Sequence, residues 1–301
     1  MLTLPAIPFI LVILALSLLM VTKGNYKLTQ ALMLVSSLFY LAYIISAVKA
    51  KPDWNLALSN LVFPNGVEFT PAYLKNYLLI GMGVLGTTIT PWGQFFISSF
   101  AYDKKIESGK IFFSQLETYV GAFLTDFFSF FMIVATAATL YVHQIPLLSG
   151  DQAAKAIEPF AGQIAGTLFA LGILNAGFMG LVVVSLSTAY AFTEFFGLQG
   201  SLDSNFKQSK PFYILFALQL AIAFIVTILP GVSLFNLVIL TQIINAVTLP
   251  LIFYYLIRLT DNRKLMGIHV NSGFQKWFIL IGSVVIFIAS IATLLATLVK
   301  L

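Results

Sequence analysis

From Ile164 to Thr193 the chain carries no charged side chain, and its apolar character continues to Phe195. No other feature constrains the fold as much. A helix rises about 1.5 Å per residue, so this run is longer than the ~30 Å hydrocarbon core of a bilayer. It must tilt, bend or project. Seven other runs come close to the same criterion of about 20 mostly apolar residues. They are Leu4–Val21, Leu28–Val48, Tyr77–Phe100, Thr118–Val142, Pro211–Leu229, Ser233–Ile257 and Trp277–Val299. The expected fold is therefore an all-α integral membrane protein with about eight transmembrane helices and no soluble domain. Composition agrees: 59% of residues are hydrophobic, 9% are charged, and the mean hydropathy is +0.97. A soluble domain is about 45–50% apolar and about 25% charged. That excludes a cytosolic enzyme, a disordered protein and a nucleic-acid binder. With no cysteine in the chain, disulfides and thiolate metal sites are excluded too.

Charge placement orients the spans. Eleven Lys and Arg fall in loops on one side: Lys23, Lys27, Lys104, Lys105, Lys110, Lys207, Lys210, Arg258, Arg263, Lys264 and Lys276. Five fall on the other: Lys49, Lys51, Lys75, Lys155 and Lys300. The richer side is expected to be cytoplasmic, which puts both chain ends outside. The first run does not read as a signal peptide, because Pro5 and Pro8 sit early and no basic segment precedes it. Segment Asp151–Phe160 reads as a short surface helix.

The third span contains Gly86-Thr87-Thr88-Ile89-Thr90-Pro91-Trp92-Gly93-Gln94. Pro91 lacks an amide hydrogen and clashes with the preceding turn, so it breaks or kinks a helix. Broken helices are where secondary transporters bind substrate and ions, and threonine oxygens suit a cation. A proline kink cushioned by threonines explains the same residues. In the seventh span Gln242 and Asn245 are three apart and share a face. Two amides there can offer oxygen to a hard cation, or hydrogen-bond to a neighbouring helix. Gly81, Gly83 and Gly86 match a dinucleotide-binding glycine pattern, with Asp103 near the expected distance. The pattern lies inside one apolar span rather than between strand and helix, so close helix packing is the better reading. Asp126 and Glu194 are the acids nearest to membrane depth, and an intramembrane acid is a functional candidate by default. They lie on different spans and imply no pairing, so no enzyme is expected. Asn175, Ser187 and Tyr190 are weaker candidates. His143 and His269 are too far apart in sequence to suggest a metal site.

Several stretches together resemble the Nramp family of divalent metal-ion transporters, in particular its magnesium-transporter-like branch. They are Lys23-Gly24-Asn25-Tyr26-Lys27, Tyr43-Ile44-Ile45-Ser46-Ala47, Lys51-Pro52-Asp53-Trp54, the Gly86–Trp92 motif, Ser187–Ala191 with Glu194–Gly197, and Gln242–Asn245 through Pro250 to Leu265-Met266-Gly267. The resemblance implies a leucine-transporter-type inverted-repeat fold, of which this chain looks like spans four to eleven. On that reading residues 1–301 are a single transporter domain lacking the first three family spans, which accounts for the outward N-terminus. Another chain supplying those spans is an expected partner. The family's Asp-Pro metal-binding motif has no counterpart here. The resemblance implies that Thr87 supplies a backbone carbonyl and Gln242 a side-chain oxygen; Asn245 joins them on the same face. Thr90 stands where typical members have methionine, and Trp92 where they have histidine. Losing the sulfur shifts the donors toward oxygen, hence toward Mg²⁺ or Mn²⁺ over Fe²⁺. The expected metal-site residues are thus Thr87, Thr90, Gln242 and Asn245. The ion is transported substrate, with no cofactor, and the expected location is the plasma membrane. The rival expectation is a non-transporting fragment or subunit of a split transporter.

Overall fold

The computed structural model describes residues 6–23, 25–61, 68, 70–145 and 150–298. Leu4, Pro5, Gly24, Val299 and Lys300 lie outside them. Among the described residues the regular structure is helical: α1 (Ala6–Lys23), α2 (Tyr26–Ser37), α3 (Leu41–Lys49), α4 (Trp54–Asn60), α5 (Pro71–Thr88), α6 (Pro91–Asp103), α7 (Ile111–Thr136), α8 (Gly150–Ala161), α9 (Gln163–Phe195), α10 (Lys210–Ile228), α11 (Leu234–Thr260), α12 (Arg263–Met266) and α13 (Gly273–Leu298). A 3-10 turn over Leu38–Tyr40 joins α2 to α3 into one span. A π-helical turn over Ala137–Tyr141 extends α7.

Six helical stretches are long and apolar enough to cross a membrane: Tyr26–Lys49, Ile111–Tyr141, Gln163–Phe195, Lys210–Ile228, Leu234–Thr260 and Gly273–Thr293. They match six of the expected spans, and the chain is an all-α integral membrane protein. Of the other two, the first forms the shorter apolar helix α1, and the third is divided into α5 and α6. At 33 residues α9 is about 50 Å long, as its uncharged run requires.

The chain forms two compact units. The first comprises Met1–Asn65 and Phe95–Val232. Its axis is α9. The C-terminal half of α9 buries Val182, Leu186, Ala189 and Tyr190 against Phe212, Phe216 and Leu220 of α10 and Val21 of α1. Its N-terminal half buries Ala165 and Phe169 against Tyr43 and Ala47 of α3 and Ala154 and Ile157 of α8. Small residues let these helices approach closely, as apolar packing in lipid requires. A Cβ on Gly172 would lie 2.8 Å from the Tyr43 ring, and the Ser46 hydroxyl donates to the Ala165 carbonyl at 3.0 Å. The expected surface helix is α8, with Ala153, Ala154 and Ile157 buried.

The second unit comprises Gly66–Gln94 and Ser233–Leu301, in which α5, α11 and α13 pack on one another. Thr70 caps α5 by accepting from the Tyr73 amide at 3.2 Å, with Pro71 at the first helical position. Ser233 caps α11 in the same way.

Candidate functional site

The break between α5 and α6 follows from local chemistry. Ile89 leaves the helix at φ −110°, ψ 82°, while its amide still donates to the Leu85 carbonyl at 2.9 Å. Pro91 opens α6 at the one place in a helix where a missing N–H costs nothing. The Thr90 carbonyl accepts from the amides of Gly93 (3.2 Å) and Gln94 (3.4 Å) and so starts the new helix. In a continuous helix the Thr87 carbonyl would accept from residue 91. That residue is proline, so the carbonyl is left without its intrahelical donor. The threonines divide the work. The Thr88 hydroxyl donates back to the Val84 carbonyl at 2.9 Å, the cushioning role. The Thr90 side chain lies over Gly93, where a Cβ would come within 2.5 Å of its Oγ1.

The facing wall is α11. A Cβ on Gly86 would fall 1.9 Å from the Gln242 carbonyl oxygen and 2.9 Å from the Ala246 nitrogen. The two helices therefore touch backbone to backbone one residue before Thr87. The glycine pattern is a packing feature at Gly86 alone, since a Cβ on Gly81 or Gly83 meets nothing within 4 Å. Gln242 and Asn245 are both half-buried, and Asn245 Nδ2 donates to Gln242 Oε1 at 3.0 Å. They bond to each other within one helix rather than to a neighbour. Each amide oxygen retains accepting capacity. One turn on, Pro250 deprives the Ala246 carbonyl of its helical donor. The Ser290 hydroxyl of α13 reaches within 3.5 Å of that carbonyl, while making its shorter bond, 2.8 Å, to Ile286.

All four expected site residues thus belong to one unit: Thr87 on α5, Thr90 in the break after it, and Gln242 and Asn245 on α11. What they present is neutral oxygen: a freed carbonyl at Thr87, the hydroxyl of Thr90, and the amides of Gln242 and Asn245. Neutral oxygens are hard donors. Among the described residues no group of three or more His, Asp and Glu side chains could hold a metal.

The other candidates do not converge. Asp126 is exposed on α7, and Glu194 is exposed in the last turn of α9. Asn175 donates to the Ser36 carbonyl at 2.9 Å, a structural bond. His143 Nδ1 lies 2.7 Å from the Thr139 carbonyl beside the π turn. Tyr190 is buried, and its hydroxyl donates to Asp103 Oδ2 at 2.5 Å. The Leu202 amide donates to the same oxygen at 3.0 Å. Asp103 thereby ties the end of α6 to α9 and to the loop after it. Sequence reasoning missed this pairing, because 87 residues separate Asp103 from Tyr190. The only local hint is a tyrosine late in an apolar helix.

The chain is 23% identical to the divalent metal cation transporter MntH of Granulibacter bethesdensis, over 87% of this chain and 57% of that protein. It is 24% identical to MntH of Verminephrobacter eiseniae, over 93% and 58%. It is 23% identical to MntH of Caldanaerobacter subterraneus, over 75% and 51%. The chain spans about half the length of the curated relatives it matches. Residues 1–296 match the family described as Nramp, natural resistance-associated macrophage protein-like. With that match over nearly its whole length, the chain belongs to the Nramp family.

Proposed function

We propose that this chain is part of a secondary transporter of divalent metal cations in the plasma membrane, and that the ion binds at the α5–α6 break. One observation carries this reading. Pro91 denies the Thr87 carbonyl its helical donor one residue from the backbone contact of Gly86 with Gln242, on the helix that also carries Asn245. A broken helix supplies oxygen ligands at membrane depth without exposing backbone to lipid. The relatives named as divalent metal cation transporters support the substrate class. Thr90 and the two amides favour Mg²⁺ or Mn²⁺ over Fe²⁺, because no sulfur or imidazole joins them. The ion is cargo rather than cofactor, and the chemistry is transport rather than catalysis.

Neutral donors do not balance a divalent charge, so a carboxylate from outside this unit completes the site. A further chain bringing additional spans is one source of it. The test is initial uptake of Mg²⁺, Mn²⁺ and Fe²⁺ into proteoliposomes carrying the complete transporter. Gln242→Ala with Thr90→Ala is expected to slow uptake at least about tenfold, the loss typical of removing even an outer-shell partner. Unchanged uptake would remove the site, and uptake of Fe²⁺ without Mg²⁺ would remove the selectivity argument.

A further inference from the structure

The turn between α11 and α13 takes no part in the proposed site, yet it is built with care. Asn271 Nδ2 donates to Thr260 Oγ1 (2.7 Å) and Asp261 Oδ1 (3.1 Å). Lys276 Nζ lies 3.3 Å from Asp261 Oδ2. The Asn262 side chain accepts from the Lys264 amide at 2.9 Å and starts α12. Ser272 and Gln275 cap each other, with the Ser272 amide donating to Gln275 Oε1 at 2.8 Å and the Gln275 amide to Ser272 Oγ at 3.3 Å. Gly267 turns the chain at φ +55°, a conformation costly for a residue with a Cβ.

This scaffold holds apolar side chains in the open. Ile268 is 92% exposed, Phe274 80%, Trp277 67% and Leu265 65%. The same stretch of chain carries the exposed cations Arg258, Arg263, Lys264 and Lys276 against the single acid Asp261. Both Asp261 oxygens are engaged, by Asn271 and Lys276. Among the described residues Arg263 and Lys264 make no side-chain bond, and Arg258 lies over the Tyr254 ring at 5.9 Å. A turn with an apolar tip and exposed cations, of which Arg263 and Lys264 make no side-chain bond among the described residues, at the end of two spans, has the pattern of an interfacial membrane anchor. The basic-residue asymmetry puts it at the leaflet that carries anionic lipid.

We propose that the α11–α13 turn is a docking element for anionic phospholipid headgroups of the cytoplasmic leaflet. Leu265, Ile268, Phe274 and Trp277 seat at the acyl boundary, and Arg258, Arg263 and Lys264 hold the phosphates. The proposal rests on the membrane-spanning reading of the chain and not on the ion site, so failure of one leaves the other standing.

The chain has no cysteine, so Ile268→Cys accepts a single environment-sensitive fluorophore. The labelled chain is placed in nanodiscs of phosphatidylcholine alone and in discs containing phosphatidylglycerol. The expected result is a blue-shifted emission and protection from iodide that strengthen with phosphatidylglycerol and are lost with Arg263→Gln and Lys264→Gln. In parallel, native mass spectrometry of the otherwise unsubstituted chain reads phosphatidylglycerol retention. Each charge removal is expected to weaken it about fivefold. A label equally open to iodide in both discs overturns the proposal. So does a label shielded to the same extent in both, which would mean that protein or neutral lipid covers the turn.

Discussion

Among the described glycines of the second unit, Gly86 leaves the least room for a Cβ, and its contact with α11 can be tested by one methyl group. In Gly86→Ala the new Cβ would start 1.9 Å from the Gln242 oxygen and 2.9 Å from both the Gln242 carbon and the Ala246 nitrogen. An ordinary carbon–oxygen approach is about 3.3 Å, so α5 and α11 must part by about 1.4 Å. All three obstructing atoms are backbone in the 27-residue α11, and no side-chain rotation can relieve them. Overpacking of this kind costs about 1–3 kcal/mol, and the absence of a side-chain escape places this case at the upper end. Gly83→Ala is the control. It lies in the same helix and its Cβ meets nothing within 4 Å. There the loss of glycine favours the helix by up to about 1 kcal/mol. Unfolding in mixed micelles, followed by tryptophan fluorescence, should separate the two variants by at least about 2 kcal/mol. Since Gln242 moves with the displaced backbone, metal binding should weaken in Gly86→Ala and not in Gly83→Ala. Equal stability of the two variants would refute the backbone contact, and with it the closeness of the two halves of the proposed site.

Gly93→Ala should be much milder than Gly86→Ala, because the obstructing atom is the Thr90 hydroxyl, which can rotate away; the same unfolding assay checks this. Tyr190→Phe keeps the ring packed against Phe96 and Phe212 and removes one donor from the buried Asp103. A bond to a charged group is worth about 1.5–3 kcal/mol, and the variant should lose stability in that range. Gly172→Ala drives a Cβ to 2.8 Å from the buried Tyr43 ring, and faster hydrogen exchange across α3 should report the separation from α9. Mn²⁺ titrated calorimetrically into the purified chain should bind with a Kd of about 1 mM or weaker, as neutral oxygen donors lack the charge that sets affinity; submicromolar binding would show a different site.

The spans were legible because a bilayer imposes a length and a polarity that composition alone satisfies. The break was legible for a similar reason: Pro91 acts on the backbone of its own turn, wherever the rest of the fold lies. Partnership was harder to read. Three glycines share one pattern, but only Gly86 is met by another helix, and sequence does not say which face of α5 turns toward α11. The three-residue spacing of Gln242 and Asn245 was plain, but not that the amides would satisfy each other, since that depends on rotamers. Asp103 was least visible. Its partner Tyr190 is 87 residues away, and nothing local marks an acid beside two lysines as buried.

The distribution of charge within the second unit limits what the break can do by itself. Its two stretches of chain, Gly66–Gln94 and Ser233–Leu301, contain only two acids, Glu68 and Asp261. Asp261 closes α11 about 24 Å along the axis from Asn245, and Glu68 precedes an α5 of which about 24 Å separates Pro71 from Thr87. At those distances neither can be a ligand at the break. Four neutral donors leave the charge of a divalent ion uncompensated in a region where unpaired charge is costly. The same neutrality leaves the site inexpensive to bury when no ion is bound. Thr88 bonds back to Val84 and Asn245 donates to Gln242, so part of the polar surface around the break is satisfied within the unit. On the proposed reading such a site binds its ion weakly until a carboxylate arrives from elsewhere. That division separates the residues that shape the site from the residue that supplies its affinity.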